Sequence, residues 1–200
     1  MKTYFKYLGI ILLAVVIVFV LLNFDYFKKQ LSYILSKPQT KQDDQALSNS
    51  ENLKSIMEQN FLSIPSLDIK APIKFVTQAN EKAFQEALID GVVQFPGTAK
   101  VGTVGNTYIF GHSSDFAFSK GKYKTVFALL PSIDIGAEII VSDESGKAFT
   151  YEVIKKFVAS KKDVHLLDQN TNGEKILTVQ TSYPIGTALQ RYIVVARLRE

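Results

Sequence analysis

Three side chains suited to acyl transfer stand far apart in this chain: His112, Ser182 and Arg191. A hydroxyl becomes a nucleophile when an imidazole takes its proton, and a guanidinium can hold the oxyanion that then forms. Ser182 closes the run L-T-V-Q-T-S, whose alternation of apolar and polar residues predicts a strand. A Tyr-Pro-Ile-Gly turn follows, and Arg191 opens the next apolar run. His112 closes the run T-Y-I-F-G-H. Taken singly, each has an ordinary reading: a loop serine, a surface arginine, a histidine capping a buried strand. Together, each stands at a strand end beside a Gly-containing turn. If the strands before and after the turn pair, Ser182 and Arg191 project from the same end of a sheet. Asp115 is the carboxylate nearest to His112 in sequence and the candidate to orient it.

The elements that must position these groups are mostly strands. Residues 61–64, 69–76, 92–95, 104–110, 138–142, 149–158, 175–181 and 192–198 read as short apolar or alternating runs bounded by Gly and Pro turns. Pro65 and Pro72 suggest edge or entry strands at the start. Ala83, Phe84, Ala87 and Leu88 recur at helical spacing, which predicts one short helix over 81–88. Residues 126–130 suggest a helical turn, and 115–125 a polar loop. Many short strands with one or two short helices indicate a closed or nearly closed β-barrel.

Composition narrows the chemistry. The chain has no cysteine, which excludes disulfides, thiolate metal sites and a thiol nucleophile. Two histidines argue against a histidine-rich zinc site, and the acidic residues are too dispersed to nominate a calcium site. No cofactor is expected and no residue is nominated to hold a metal, with metal dependence left open. The formal charge of +4 comes from scattered lysines with no basic run, so nucleic acid is not an expected partner. His165 lies at a polar-to-apolar transition and carries no assigned role.

The N-terminus has a different character. Lys2 and Lys6 precede an apolar run from Tyr7 to Leu22, and Tyr26 and Phe27 follow before Lys28 and Lys29. Residues 7–27 as a helix rise about 30 Å, the thickness of a bilayer's hydrocarbon core. No small-residue cleavage site follows, so an uncleaved signal-anchor is favoured over a signal peptide. The expected division is 1–30 cytoplasmic head and transmembrane anchor, 31–60 polar linker, and 61–200 barrel domain. The expected topology is single-pass, with the N-terminus cytoplasmic and the C-terminal domain outside.

Over residues 61–198 the chain resembles the catalytic domain of sortases, membrane-anchored cysteine transpeptidases of bacterial surfaces. The resemblance is carried by five segments in order. They are I-P-S-L-D-I-K-A-P-I from Ile64, L-I-D-G-V-V-Q-F-P-G-T from Leu88, G-N-T-Y-I-F-G-H-S-S from Gly105, F-A-L-L-P-S-I-D-I-G-A-E-I-I-V from Phe127, and L-T-V-Q-T-S from Leu177. Three positions depart from the family pattern. Ala137 stands for an acid, Val179 for a leucine, and Ser182 for the reactive cysteine.

The resemblance implies a sortase-like closed barrel behind a transmembrane helix, and a transpeptidase of the cell envelope. In sortases the nucleophile attacks the Thr–Gly peptide of a sorting signal on surface proteins. The acyl group then passes to an amine acceptor on the cell wall or a pilin. Residue matching puts Ser182 at the nucleophile position, His112 at the acid/base position and Arg191 at the position that steadies substrate and oxyanion. Thr181, beside the nucleophile, is implied as a lesser substrate contact. With serine in place of cysteine, several readings stay open: a serine enzyme, a non-catalytic module that binds a peptide or surface protein in the same groove, a substituted trap, or a purely structural envelope protein.

Overall fold

Strands that alternate apolar and polar residues have one face to bury, and closing a sheet on itself buries it without leaving an edge. The computed structural model describes residues 2–36, 58–114 and 121–199. Among these are β1 (Phe61–Ile64), β2 (Ile69–Phe75), β3 (Val92–Gln94), β4 (Gly105–Phe110), β5 (Glu138–Ser142), β6 (Ala148–Ser160), β7 (Lys175–Tyr183) and β8 (Gln190–Leu198). They form a closed barrel in the order β1-β2-β3-β4-β7-β8-β6-β5, with β5 returning to β1 through Leu62↔Val141. Leu62, Ile64, Ile109, Val141, Tyr151, Leu177, Val179 and Val194 fill its interior without exposed surface.

Three helices are described: α1 (Lys2–Leu22), α2 (Phe24–Ser36) and α3 (Glu81–Leu88). α3 is the crossover that a parallel β2–β3 pair requires. The Asn80 side chain starts it by accepting a hydrogen bond from the Ala83 amide at 2.9 Å. The helical turn expected at 126–130 is realised slightly later, as a 3-10 turn at Leu130–Ser132.

Closure changes the meaning of Pro72. It is not on an edge but inside β2, opposite Phe61. Ile73 donates to the Asn60 carbonyl at 2.6 Å, and pairing with β3 begins at Ile73↔Val92. The missing N–H therefore falls where the ladder requires none. The same close approach demands Gly91, where a Cβ would sit 2.2 Å from the Pro72 carbonyl oxygen.

The strands around the candidate residues are also longer than their sequence pattern. β7 runs on through Ser182 to Tyr183, and β8 begins at Gln190. Ser182 and Arg191 thus lie within a ladder rather than beyond its ends.

At the N-terminus, residues 5–22 form an exposed apolar helix long enough to cross a membrane. A turn at Asn23 separates α1 from α2. There the Asn23 side-chain amide competes with its own backbone N–H for the Phe19 carbonyl, at 2.9 and 3.2 Å. α2 continues to Ser36 and touches the barrel. Lys29 Nζ donates to the Thr125 carbonyl at 3.0 Å, and Tyr33 packs on the core. Most of the segment read as a linker lies outside the described residues.

Candidate active site

β4 and β7 are far apart in sequence but run parallel side by side, with Phe110 opposite Gln180. The alternation that sends Ile109, Val179 and Thr181 inward sends Tyr108, Phe110, Gln180 and Ser182 to the outer face. Beyond the ladder, the Gly111 amide donates to the Gln180 carbonyl at 3.1 Å. The His112 carbonyl accepts from the Phe127 amide at 2.9 Å. His112 is therefore delivered to the same end of the sheet as Ser182. Gly111 has to be glycine: a Cβ there would lie 2.8 Å from the Phe127 ring.

Ser182 and Arg191 are direct cross-strand partners in the antiparallel β7–β8 pair. The Arg191 guanidinium is steadied by the Ala188 and Gln190 carbonyls, to which Nη1 donates at 3.2 and 3.0 Å. The loop between these strands is tied to the segment after His112, because the Gly186 amide donates to Ser114 Oγ at 2.9 Å. His112, Ser182 and Arg191 all line one cleft of about 400 Å³. That volume is in the range that holds a small ligand or a short stretch of peptide.

Two walls flank this floor. One is aromatic: Phe84 of α3 meets Phe110 with centroids 5.0 Å apart and Phe95 at 5.6 Å, and Phe95 meets Tyr108 at 6.2 Å. The other is the connection between β6 and β7. Lys161, Lys162, Asp163, Val164 and Leu167 line the cleft from there. Asp163 Oδ1 accepts from the His165 amide at 3.1 Å and starts the 3-10 turn Val164–Leu167. Inside the cleft the Tyr108 hydroxyl donates to Gln180 Oε1 at 2.6 Å. Burial pushes the Tyr108 phenol well above its ordinary value, with the Arg191 charge opposing and Asp163 adding to the rise.

Thr181 is placed differently from its sequence reading. It is 1% exposed and does not line the cleft. Its hydroxyl donates to the Gly111 carbonyl at 2.9 Å, so it braces the residue before His112. Asp115 lies outside the described residues. His165 is exposed and does not line the cleft. Among the described residues no group of three or more His, Cys, Asp or Glu side chains is disposed to hold a metal ion. A cavity of about 480 Å³ between α2 and residues 65–70 and 122–129 contains none of the three candidate groups.

The sortase-domain family model matches residues 62–199. The chain belongs to the sortase family. Solved sortase structures share its fold. A sortase D5 transpeptidase from Clostridium perfringens is 25% identical, with a TM-score of 0.57, over 78% of this chain and 89% of that one. Sortase C1 from Streptococcus suis is 19% identical, with a TM-score of 0.60, over 82% and 89%. Sortase A from Corynebacterium diphtheriae is 23% identical, with a TM-score of 0.58, over 81% and 72%. No curated protein sequence matches the chain.

The motifs missed both cleft walls and Gln180 in this sortase-family chain. A signal for the floor was present. Tyr108, Phe110 and His112 recur at period two, as do Gln180 and Ser182. Five polar or aromatic side chains on the outer face of two inward-apolar strands mark a face with work to do. Nothing local marks 161–167 as its wall.

Proposed function

We propose that this chain is a serine variant of a sortase transpeptidase, acting on the sorting-signal peptide of surface proteins. The reading rests on one observation: His112, Ser182 and Arg191 line the same cleft. In the first step Ser182 Oγ attacks the carbonyl carbon of a Thr–Gly bond while neutral His112 takes the hydroxyl proton. Arg191 balances the charge on the carbonyl oxygen. The C–N bond breaks, His112 returns the proton to the leaving amine, and an acyl-ester on Ser182 remains. An amine acceptor on the cell wall or a pilin then attacks the ester, passes a proton to His112, and Ser182 recovers it. Thr181 acts indirectly, by holding Gly111.

The serine changes the demands on the site. A thiol has a pKa near 8.5 and becomes a thiolate beside a cation, whereas a hydroxyl ionises only as its proton is taken. Ser182 therefore depends on His112 as a base, and slow turnover is expected. The serine also favours a second reading, a module that binds the peptide without transferring it.

Full-length protein in detergent micelles, incubated with a fluorogenic Thr–Gly sorting peptide, separates these readings. Transfer that is abolished in Ser182→Ala supports the serine enzyme. Transfer that appears only in Ser182→Cys supports a scaffold that lost its nucleophile. Binding without turnover in all three forms supports the module.

The same proposal places residues 1–30 as head and anchor, 31–60 as tether and 61–200 as a domain outside the membrane. The chain's lack of cysteine makes this direct to test. Ser145→Cys in intact cells reacts with a membrane-impermeant maleimide if the domain is outside, and stays unlabelled if it is inside.

A further inference from the structure

Gln180 lies two residues before Ser182 on β7, faces the same side and lines the cleft. Its amide has a defined orientation, because the Tyr108 hydroxyl donates to Oε1 at 2.6 Å. Tyr108 is 3% exposed and its phenol is held protonated by burial, so that hydroxyl stays available as a donor. An amide whose oxygen is held from one side turns its nitrogen to the other. Among the described residues no acceptor meets Gln180 Nε2. Nor is Nε2 one of the buried polar atoms left without a partner, which are Asn106 Oδ1 and Ser113 Oγ. The two N–H donors therefore open on the cleft.

We propose that Gln180 is a substrate-binding residue whose Nε2 donates to a main-chain carbonyl of the peptide lying across β7. The assignment rests on the peptide-transfer reading. Strand geometry selects the carbonyl. Two residues of strand span about 7 Å, and so do two residues of extended peptide. A peptide with its scissile carbonyl at Ser182 and its N-terminal part toward the aromatic wall brings the residue two before the threonine over Gln180. Every residue offers that carbonyl, so the bond fixes register without selecting a side chain. Tyr108 is the positioning residue: it acts on the peptide only through Gln180.

The test is binding of a fluorescein-labelled Thr–Gly peptide to full-length protein in detergent micelles, by fluorescence anisotropy. A second peptide carries a thioamide, a weaker acceptor, at the residue two before the threonine. Gln180→Leu is expected to weaken binding about five- to tenfold, the cost of one hydrogen bond. Gln180→Glu keeps the size of the side chain but offers no donor, and is expected to lose at least as much. That variant keeps the test decisive if Gln180→Leu folds poorly. Tyr108→Phe is expected to cost about twofold, by releasing the amide. The thioamide should weaken binding to the parent and cost nothing further in Gln180→Leu, because both changes remove the same bond. Unchanged binding in Gln180→Glu, or thioamide and Gln180→Leu losses that multiply, overturns the assignment alone. If neither the parent nor its Ser182→Cys form binds or cleaves the peptide, the peptide-transfer reading falls and takes the assignment with it.

Discussion

The floor and the far wall of the cleft use the same side chain in opposite ways. On the wall, Gln169 spends its whole amide on backbone. Oε1 accepts from the Ala99 and Asn106 amides at 3.0 and 3.2 Å, and Nε2 donates to the Asn106 and Leu167 carbonyls at 3.1 and 2.9 Å. Asn106 Nδ2 adds a bond to the Leu166 carbonyl at 2.9 Å. On the floor, the Gln180 amide makes no bond to backbone among the described residues and one to a side chain, accepting from the Tyr108 hydroxyl. The difference follows from backbone accounting. Residues 161–174 pair with no strand and hold only one short 3-10 turn, so the Gln169 and Asn106 side chains tie them to β4 and to Ala99. β4 and β7 pair along their length through their own ladder, so the Gln180 amide is not spent on backbone.

The contrast breaks most visibly at His112 and Ser182. Replacing either with alanine should reduce peptide transfer on the order of a thousandfold or more. The melting temperature should hold, since the ladder and not these side chains carries the floor. A melting temperature that falls along with activity would put the floor in the same class as the wall.

Gln169→Ala is the converse experiment. Loss of its hydrogen bonds should cost about 2–3 kcal/mol, discounted for partial exposure. Hydrogen exchange should quicken at 164–168 before anywhere else, and KM should rise more than kcat falls. Uniform exchange across the barrel would show that the wall is not separately held.

Thr181→Val sharpens the boundary between the two regions. It leaves the buried Gly111 carbonyl without its side-chain donor and should cost about 1–2 kcal/mol. The melting temperature of a domain this size then drops by a few degrees. Part of the His112-dependent activity should go with it, because Gly111 is the residue before the imidazole.

The smallest effect belongs to a turn remote from both regions. Asp143 is held below the ordinary carboxylate range, first by the Ser145 hydroxyl and then by the Ser145 and Lys147 amides. A depressed carboxyl stabilises the fold above its unfolded pKa and loses that contribution as pH falls through the folded value. A slight loss of stability beginning near pH 4 is therefore expected, absent in Asp143→Asn and without effect on the cleft. A change in peptide binding in that variant would mean the far turn and the cleft are coupled.

Much of this was legible along the chain. The period-two runs located eight strands to within a few residues, and the apolar spacing of 81–88 located α3 with its bounds. Each is a local pattern with a local cause. The ends of β7 and β8 were not legible, because Tyr183↔Gln190 pairing extends both beyond their apolar cores. The Tyr108–Gln180 bond joins residues 72 apart, and the wall at 161–167 has no composition that announces it. Thr181 is implied as a lesser substrate contact because it adjoins Ser182, yet successive strand residues face opposite sides, and its side is decided by which face the barrel buries.

By itself, the order of residues determined which side of each strand must be hidden from water, where the chain turns, and that no thiol is present to serve as nucleophile. Which distant strands lie together was decided by closure of the barrel. Parallel pairing of β4 with β7 brings His112 to the cleft that Ser182 lines, and antiparallel pairing of β7 with β8 sets Arg191 across from Ser182 in the ladder. These are non-local choices. They depend on how eight apolar faces fill one interior, and no single segment contains that information.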